Sequence, residues 1–104
     1  MLSGPMEILE LNDGESISLH VTGWTLDDAI IRPAHAPQGK AIKVLRLNVL
    51  QTDKKSFPYY YDVTAMGAIA QLTPWLEKPG YEGKTFTLTA AGDGPKKRYS
   101  VGVS

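Results

Sequence analysis

Hydrophobic and polar side chains alternate along much of this 104-residue chain, and the alternation predicts β-strands. In residues 16–24, Ile17, Leu19 and Val21 alternate with polar residues, which is typical of a half-buried strand. Gly23 inside this pattern predicts a bulge or a bend. Residues 40–51, 57–63, 84–90 and 97–103 are predicted as four more strands, and an additional short strand is allowed for residues 6–11. The residues predicted to form one core with Ile17, Leu19 and Val21 are Leu45, Leu47, Phe86, Leu88 and Val101, with Ile69 and Leu72 closing one end.

The period changes in residues 64–77, where Met66, Ile69 and Leu72 recur every three to four positions and predict an amphipathic helix. Pro74 is expected to end this helix, with Thr73 and Pro74 starting a short new turn. Residues 25–39 contain two prolines and no sustained period, so they are predicted to be a long, mobile loop of functional importance.

Three consecutive tyrosines mark the predicted third strand. Strand alternation places Phe57, Tyr59, Tyr61 and Val63 on one face, which is the more apolar and is expected to be interior. Tyr60 then lies on the opposite face. Two interpretations of Tyr60 stay open, namely a ring that stacks on a ligand and a ring that is simply exposed.

Composition narrows the classes of function. Eleven basic residues balance eleven acidic ones, which argues against a large positively charged surface that binds nucleic acid but allows a local basic patch. The chain has no cysteine, so disulfides and zinc–thiolate sites are excluded and a cytoplasmic location is expected. No apolar run reaches the roughly 20 residues that span a membrane, and no secretory signal is predicted.

Residues 1–5, MLSGP, are expected to be an expression or protease-cleavage remnant ahead of a native Met6. The order of the remaining elements resembles that of the OB-fold, a five-stranded Greek-key barrel with one helix between strands three and four. The resemblance covers roughly residues 12–104, includes a glycine in the first strand, and implies a single OB-like domain over residues 6–104. It also implies a binding groove between loops 25–39 and 91–96.

Single-strand binders combine basic side chains with rings on which bases stack. Basic and aromatic residues map to the groove that the resemblance implies, and this combination indicates binding of single-stranded nucleic acid, with DNA favoured. Lys96, Lys97 and Arg98 form the densest basic run, although a solvated hairpin tip explains the run equally well. The complete set of predicted contacts is Trp24, Arg32, Lys40, Arg46, Tyr60, Lys96, Lys97 and Arg98.

The alternative is a structural or protein-interaction module that uses the same face and loops. Open edge strands also favour pairing into homo-oligomers.

Catalysis is not expected. His20 and His35 have no partner at metal-ligand spacing, and the adjacent Asp27 and Asp28 are expected to diverge. No phosphate-binding loop or nucleophile motif is present. The sequence therefore predicts neither a catalytic site, nor a metal site, nor a cofactor.

Overall fold

The computed structural model describes residues 4–31, 34, 37–54 and 56–104. It contains six strands and one α-helix, in the order β1 (Ser16–Leu19), β2 (Val21–Ile31), β3 (Lys40–Val49), β4 (Tyr60–Val63), α1 (Met66–Leu76), β5 (Phe86–Ala91) and β6 (Arg98–Val103). Two short 3₁₀ turns, Tyr81–Gly83 and Gly94–Lys96, precede β5 and β6 respectively.

The strands form two three-stranded antiparallel sheets, ordered β1-β5-β6 and β2-β3-β4. In the described part of the chain these sheets do not close into a barrel, so the prediction of a five-stranded OB-like barrel is wrong. At the edge of β4, Ile8 forms a parallel bridge with Asp62. In a closed barrel the edge of β4 would pair with another strand, and here the N-terminal segment occupies part of that edge. Residues 6–11 form this single bridge and not the additional strand that the sequence allowed.

The strand count differs because the predicted first strand is divided at His20. The backbone amide of His20 donates to Asp53 Oδ2 at 2.8 Å, and the chain passes there from one sheet to the other. The helix consequently follows the fourth strand, not the third. A register shift between Val21 and Gly23 confirms the predicted bulge.

Seven of the fifteen residues of the predicted loop 25–39, residues 25–31, are strand. β2 continues to Ile31 and pairs with β3 as far as Lys40, whereas β4 reaches only Leu45. Among the described residues, therefore, no third strand lies beside the outer part of the β2–β3 hairpin. Because neither face of this ribbon is uniformly buried, its residues show no clean alternation, and the prediction of a loop is wrong for residues 25–31.

The core lies between the sheets and α1. Of the predicted core residues, Leu19, Val21, Leu45, Leu47, Phe86, Leu88, Ile69 and Leu72 are buried, while Ile17 and Val101 pack at its margin. Leu9 and Leu11 from the N-terminal segment complete it.

Two local predictions fail. Helix α1 continues through Pro74 and ends two residues later, at Leu76. Phe57, expected inside, is 80% exposed, because β4 begins only at Tyr60. Among the helices that the structure describes, none is long and apolar enough to cross a membrane.

Candidate nucleic-acid interface

A groove lies between the first turn of α1 and the start of β6. Its volume is about 490 Å³, and Lys97, Arg98 and Tyr99 line it opposite residues 65–68 of the helix start. A second groove of about 380 Å³ shares Ala65, Lys97 and Tyr99 with the first. We call the two together the basic groove. It places two of the three residues of the predicted basic run around a partly buried tyrosine ring.

Gln71 fixes β6 against the helix. Its Nε2 donates to the Tyr99 carbonyl at 2.7 Å, and its Oε1 accepts from the Val101 amide at 3.1 Å. The Leu11 amide, in the N-terminal segment, donates a long hydrogen bond of 3.5 Å to Tyr99 Oη. Gln71 and Tyr99 were missed as site residues. A single glutamine on an alanine-rich helix was the only available signal, and it does not reveal which strand edge it contacts.

The electrostatics of this groove favour an anion. Helix α1 has no side-chain cap at Ala65 and no acidic residue in its first turn, so the positive end of its dipole is not neutralised locally. Within the part of the chain that the structure describes, no carboxylate forms an ion pair with Lys96, Lys97 or Arg98. Glu10 also lines the second groove, and its carboxylate partly offsets the positive charge there.

Arg46 and Tyr60 are together, as predicted, but on a different surface. The Arg46 guanidinium carbon lies 3.9 Å from the centroid of the Tyr60 ring. Arg46 also donates to Asp62, from Nε to Oδ1 at 2.7 Å and from Nη2 to Oδ2 at 3.1 Å. We call the surface formed by Arg46, Tyr60 and Asp62 the covered face, because residues 4–8 lie over it.

The charges of the covered face are buried. Arg46 is 7% exposed and Asp62 is fully buried, although the sequence predicted an outward-pointing Arg46. Hydrogen bonding to Asp62 raises the pKa of Arg46, against the opposite effect of burial. Asp62 was not predicted, since nothing in a single sequence sets the register that places it opposite Arg46.

Lys54 and Tyr61 lie beside this face. Lys54 donates from Nζ to the Pro58 carbonyl and pairs with Glu7 Oε2 at 3.4 Å, and the same Nζ lies 5.3 Å from the centroid of the Tyr61 ring. Burial, with smaller contributions from the negative charges of Asp53 and Glu7, raises the pKa of Tyr61. These contacts hold the turn after β3 to the N-terminal segment.

The other predicted contacts lie elsewhere. Trp24 faces Leu47 across the β2–β3 ladder and packs against the core. Lys40 is exposed at the outer end of β3, five residues from the first position that pairs with β4. Arg32 and His35 lie outside the described residues. Of the eight predicted contacts, the structure therefore brings together Lys96, Lys97 and Arg98 at one place and Arg46 with Tyr60 at another.

His20 has partners that the sequence did not indicate. Its Nδ1 lies 3.2 Å from Asp53 Oδ2, and its Nε2 lies 3.3 Å from Thr85 Oγ1. The order hydroxyl–imidazole–carboxylate is that of a nucleophilic triad. Neither part of the basic groove includes these residues, and they join the β1–β2 bend to the turn after β3 and to the start of β5. This arrangement accounts for them as a structural link.

Among the described residues, no group of three or more His, Cys, Asp or Glu side chains is placed to hold a metal ion. No protein-family model, curated protein or solved structure matches this chain. The function must therefore be inferred from the chemistry of the basic groove and the covered face.

Proposed function

We propose that this protein binds single-stranded nucleic acid, with DNA favoured, and that the basic groove is the primary contact. The observation that carries the proposal is the placement of Lys97 and Arg98 beside Tyr99 on one wall of the groove, where no carboxylate of the described residues pairs with them. Phosphates bind to cations and to helix N-termini, and bases stack on aromatic rings. This is binding and not catalysis, and the absence of cysteine favours a cytoplasmic location.

The zero net charge limits the electrostatic part of the affinity. Contact with about three to five phosphates gives a slope of log affinity against log salt of roughly −2 to −3.5. A strongly basic binder would give a steeper slope. The remaining affinity is expected to come from stacking, which is worth about 1–3 kcal/mol for each base.

Fluorescence anisotropy with labelled DNA and RNA strands of 20–30 nucleotides tests this proposal. Replacing Lys96, Lys97 and Arg98 together with alanine should weaken binding to every sequence and reduce the salt slope by about 2, since three phosphate contacts are lost. A matched control removes three positive charges elsewhere, at Lys43, Lys78 and Lys84, and should leave the slope nearly unchanged. Comparison of the two strand types decides between DNA and RNA.

Stacking is tested separately with Tyr99→Leu, which keeps an apolar side chain at the margin of the core. Affinity should fall about 5- to 150-fold, which corresponds to 1–3 kcal/mol, while the salt slope stays the same because stacking releases no counterions. If no strand binds at tens of micromolar protein in low salt, the proposal is wrong.

A second candidate function is docking of a protein partner, and one observation favours it. Leu26 and Ile30, on one face of the projecting β2–β3 hairpin, are 41% and 68% exposed. Exposed apolar side chains on an unflanked ribbon are common at protein interfaces. A second copy of the chain is one such partner. Sedimentation of the wild type against Ile30→Lys would show self-association as a mass that the substitution reduces.

A further inference from the structure

The N-terminal segment lies across the covered face as a strap, which we define as residues 4–8. Its first two residues, Gly4 and Pro5, belong to the stretch that the sequence predicted to be a remnant, and they nevertheless contact this face. Its backbone follows β4 in parallel: the Asp62 amide donates to the Glu7 carbonyl at 2.7 Å, and the Leu9 amide donates to the Asp62 carbonyl at 2.9 Å. These bonds form one isolated bridge and not a continuous ladder. The strap is therefore joined to the sheet at few points.

The strap presents acceptor atoms to the groups beneath it. The Pro5 carbonyl accepts from Tyr60 Oη at 2.6 Å and from Arg46 Nη2 at 3.4 Å. Glu7 pairs with Lys54. A Cβ on Gly4 would lie 3.0 Å from Tyr60 Oη, which shows how closely the strap passes over this ring. Bases and phosphates also carry oxygen acceptors, which could replace those of the strap as partners of Arg46, Lys54 and Tyr60.

The apolar side chains that anchor the N-terminal segment in the core come after the strap. Leu9 and Leu11 are buried in the core, whereas Met6 and Ile8 are 40% and 49% exposed. Segments that bury little apolar surface and rely on a few polar contacts open locally at low free energy. Residues 4–8 can therefore leave the surface while residues 9–11 stay in place.

The strap also borders the basic groove. Ile8, Leu9 and Glu10 form one wall of its second part, opposite Lys97 and Tyr99. Of these three residues, only Ile8 belongs to the strap, so displacement of the strap would remove Ile8 from this wall and leave Leu9 and Glu10 in place. We propose that residues 4–8 are a displaceable strap that competes with a single strand for Tyr60 and its surroundings, so that full engagement requires its release. This inference rests on the proposed function.

The test is Tyr60→Phe in the full chain. This substitution keeps the ring for stacking and removes only the hydroxyl that donates to Pro5. If the strap competes with the nucleic acid, the variant should bind a labelled single strand about 2- to 10-fold more tightly, since one strap contact is lost. Tyr81→Phe makes the same chemical change away from the strap and should bind like the wild type.

A second measurement follows the strap itself. The Glu7 amide donates to Asp62 Oδ2 at 2.9 Å. In wild-type protein, amide hydrogen exchange at Glu7 should become faster when the oligonucleotide is added, whereas exchange at Leu9 and in β5 should not. Unchanged or slower exchange at Glu7 on binding would overturn the strap inference.

The outcomes separate the two proposals. If the variant with alanine at positions 96–98 binds weakly and Tyr60→Phe binds no better than wild type, the strap inference is wrong and the proposed function stands. If no form of the protein binds a single strand, the proposed function is wrong and the strap inference falls with it. Tighter binding by Tyr60→Phe together with weaker binding by the alanine variant supports both.

Discussion

In the covered face, Arg46 is buried and its charge is balanced by Asp62 at 2.7 Å, with Tyr60 stacked on the guanidinium. In the basic groove, Arg98 is exposed and Lys97 half-exposed, and no described carboxylate forms an ion pair with either of them. Both regions combine cations with a tyrosine. Of these two regions, the basic groove is the one whose positive charges are not paired with a described carboxylate.

The difference teaches that residue type alone does not make a binding site. A buried ion pair loses its hydration on folding and then depends on its partner, whereas an exposed cation stays solvated and can exchange water and counterions for a phosphate. Substitutions in the two regions should consequently separate stability from binding, and the following predictions test this separation.

The largest effect is expected from Asp62→Asn, which leaves the buried Arg46 without a counter-charge. The free energy of unfolding should fall by about 3–5 kcal/mol, the usual cost of removing one partner of a buried pair. Urea denaturation with an unchanged m-value would measure it. The control is Asp28→Asn, which breaks the exposed Asp28–Lys43 pair at 2.9 Å and should cost less than about 1 kcal/mol. Equal losses for the two variants would remove the distinction between the regions.

A smaller effect is expected from Gln71→Ala, which frees the edge of β6 that borders the basic groove. Loss of the two hydrogen bonds to Tyr99 and Val101 should destabilise the fold by about 0.5–1.5 kcal/mol, because both backbone groups regain access to water. Gln51→Ala, at an exposed turn position, is the matched control and should change stability by less than about 0.5 kcal/mol. The Gln71 variant should also bind single strands more weakly, since the position of Tyr99 is no longer fixed. Unchanged amide exchange at Val101 would contradict this role.

Tyr61 adds a pH dependence to the region beside the covered face. Its pKa is raised above the usual 10.0, so the neutral form is favoured in the folded state. The unfolded chain loses this proton first, and the contribution of Tyr61 is complete below about pH 10 and is lost as pH rises through the folded-state pKa. Denaturation between pH 9 and 11 should show a smaller loss of stability in Tyr61→Phe than in wild type. The same loss in both proteins would exclude Tyr61 as a source.

The smallest effect on stability is expected from alanine at Lys96, Lys97 and Arg98. These side chains form no ion pair in the described structure, so the free energy of unfolding should change by less than about 0.5 kcal/mol. Thermal and urea denaturation would measure this beside the binding assay. A loss above 2 kcal/mol would mean that the basic run is part of the folding core, and the comparison between the two regions would fail.

Local sequence patterns predicted much of the secondary structure. Two-residue alternation located β3, β5 and β6 and identified Leu45, Phe86 and Leu88 as buried, because each strand packs one face on the core. The helix was predicted from its three-to-four-residue period. The hairpin strand β2 was lost beyond Trp24, since it projects past β4 and has no uniformly buried face to impose a period.

The sequence by itself determined the chemical types available, namely a basic run at residues 96–98, adjacent tyrosines, no cysteine and balanced charge. Tertiary structure decided which of these groups are accessible. Arg46 receives Asp62 from 16 residues away and Pro5 from 41 residues away, and no local period carries that information. Whether the strands close into a barrel was likewise decided by edge pairing, because a strand's own alternation specifies its buried face but not its neighbour.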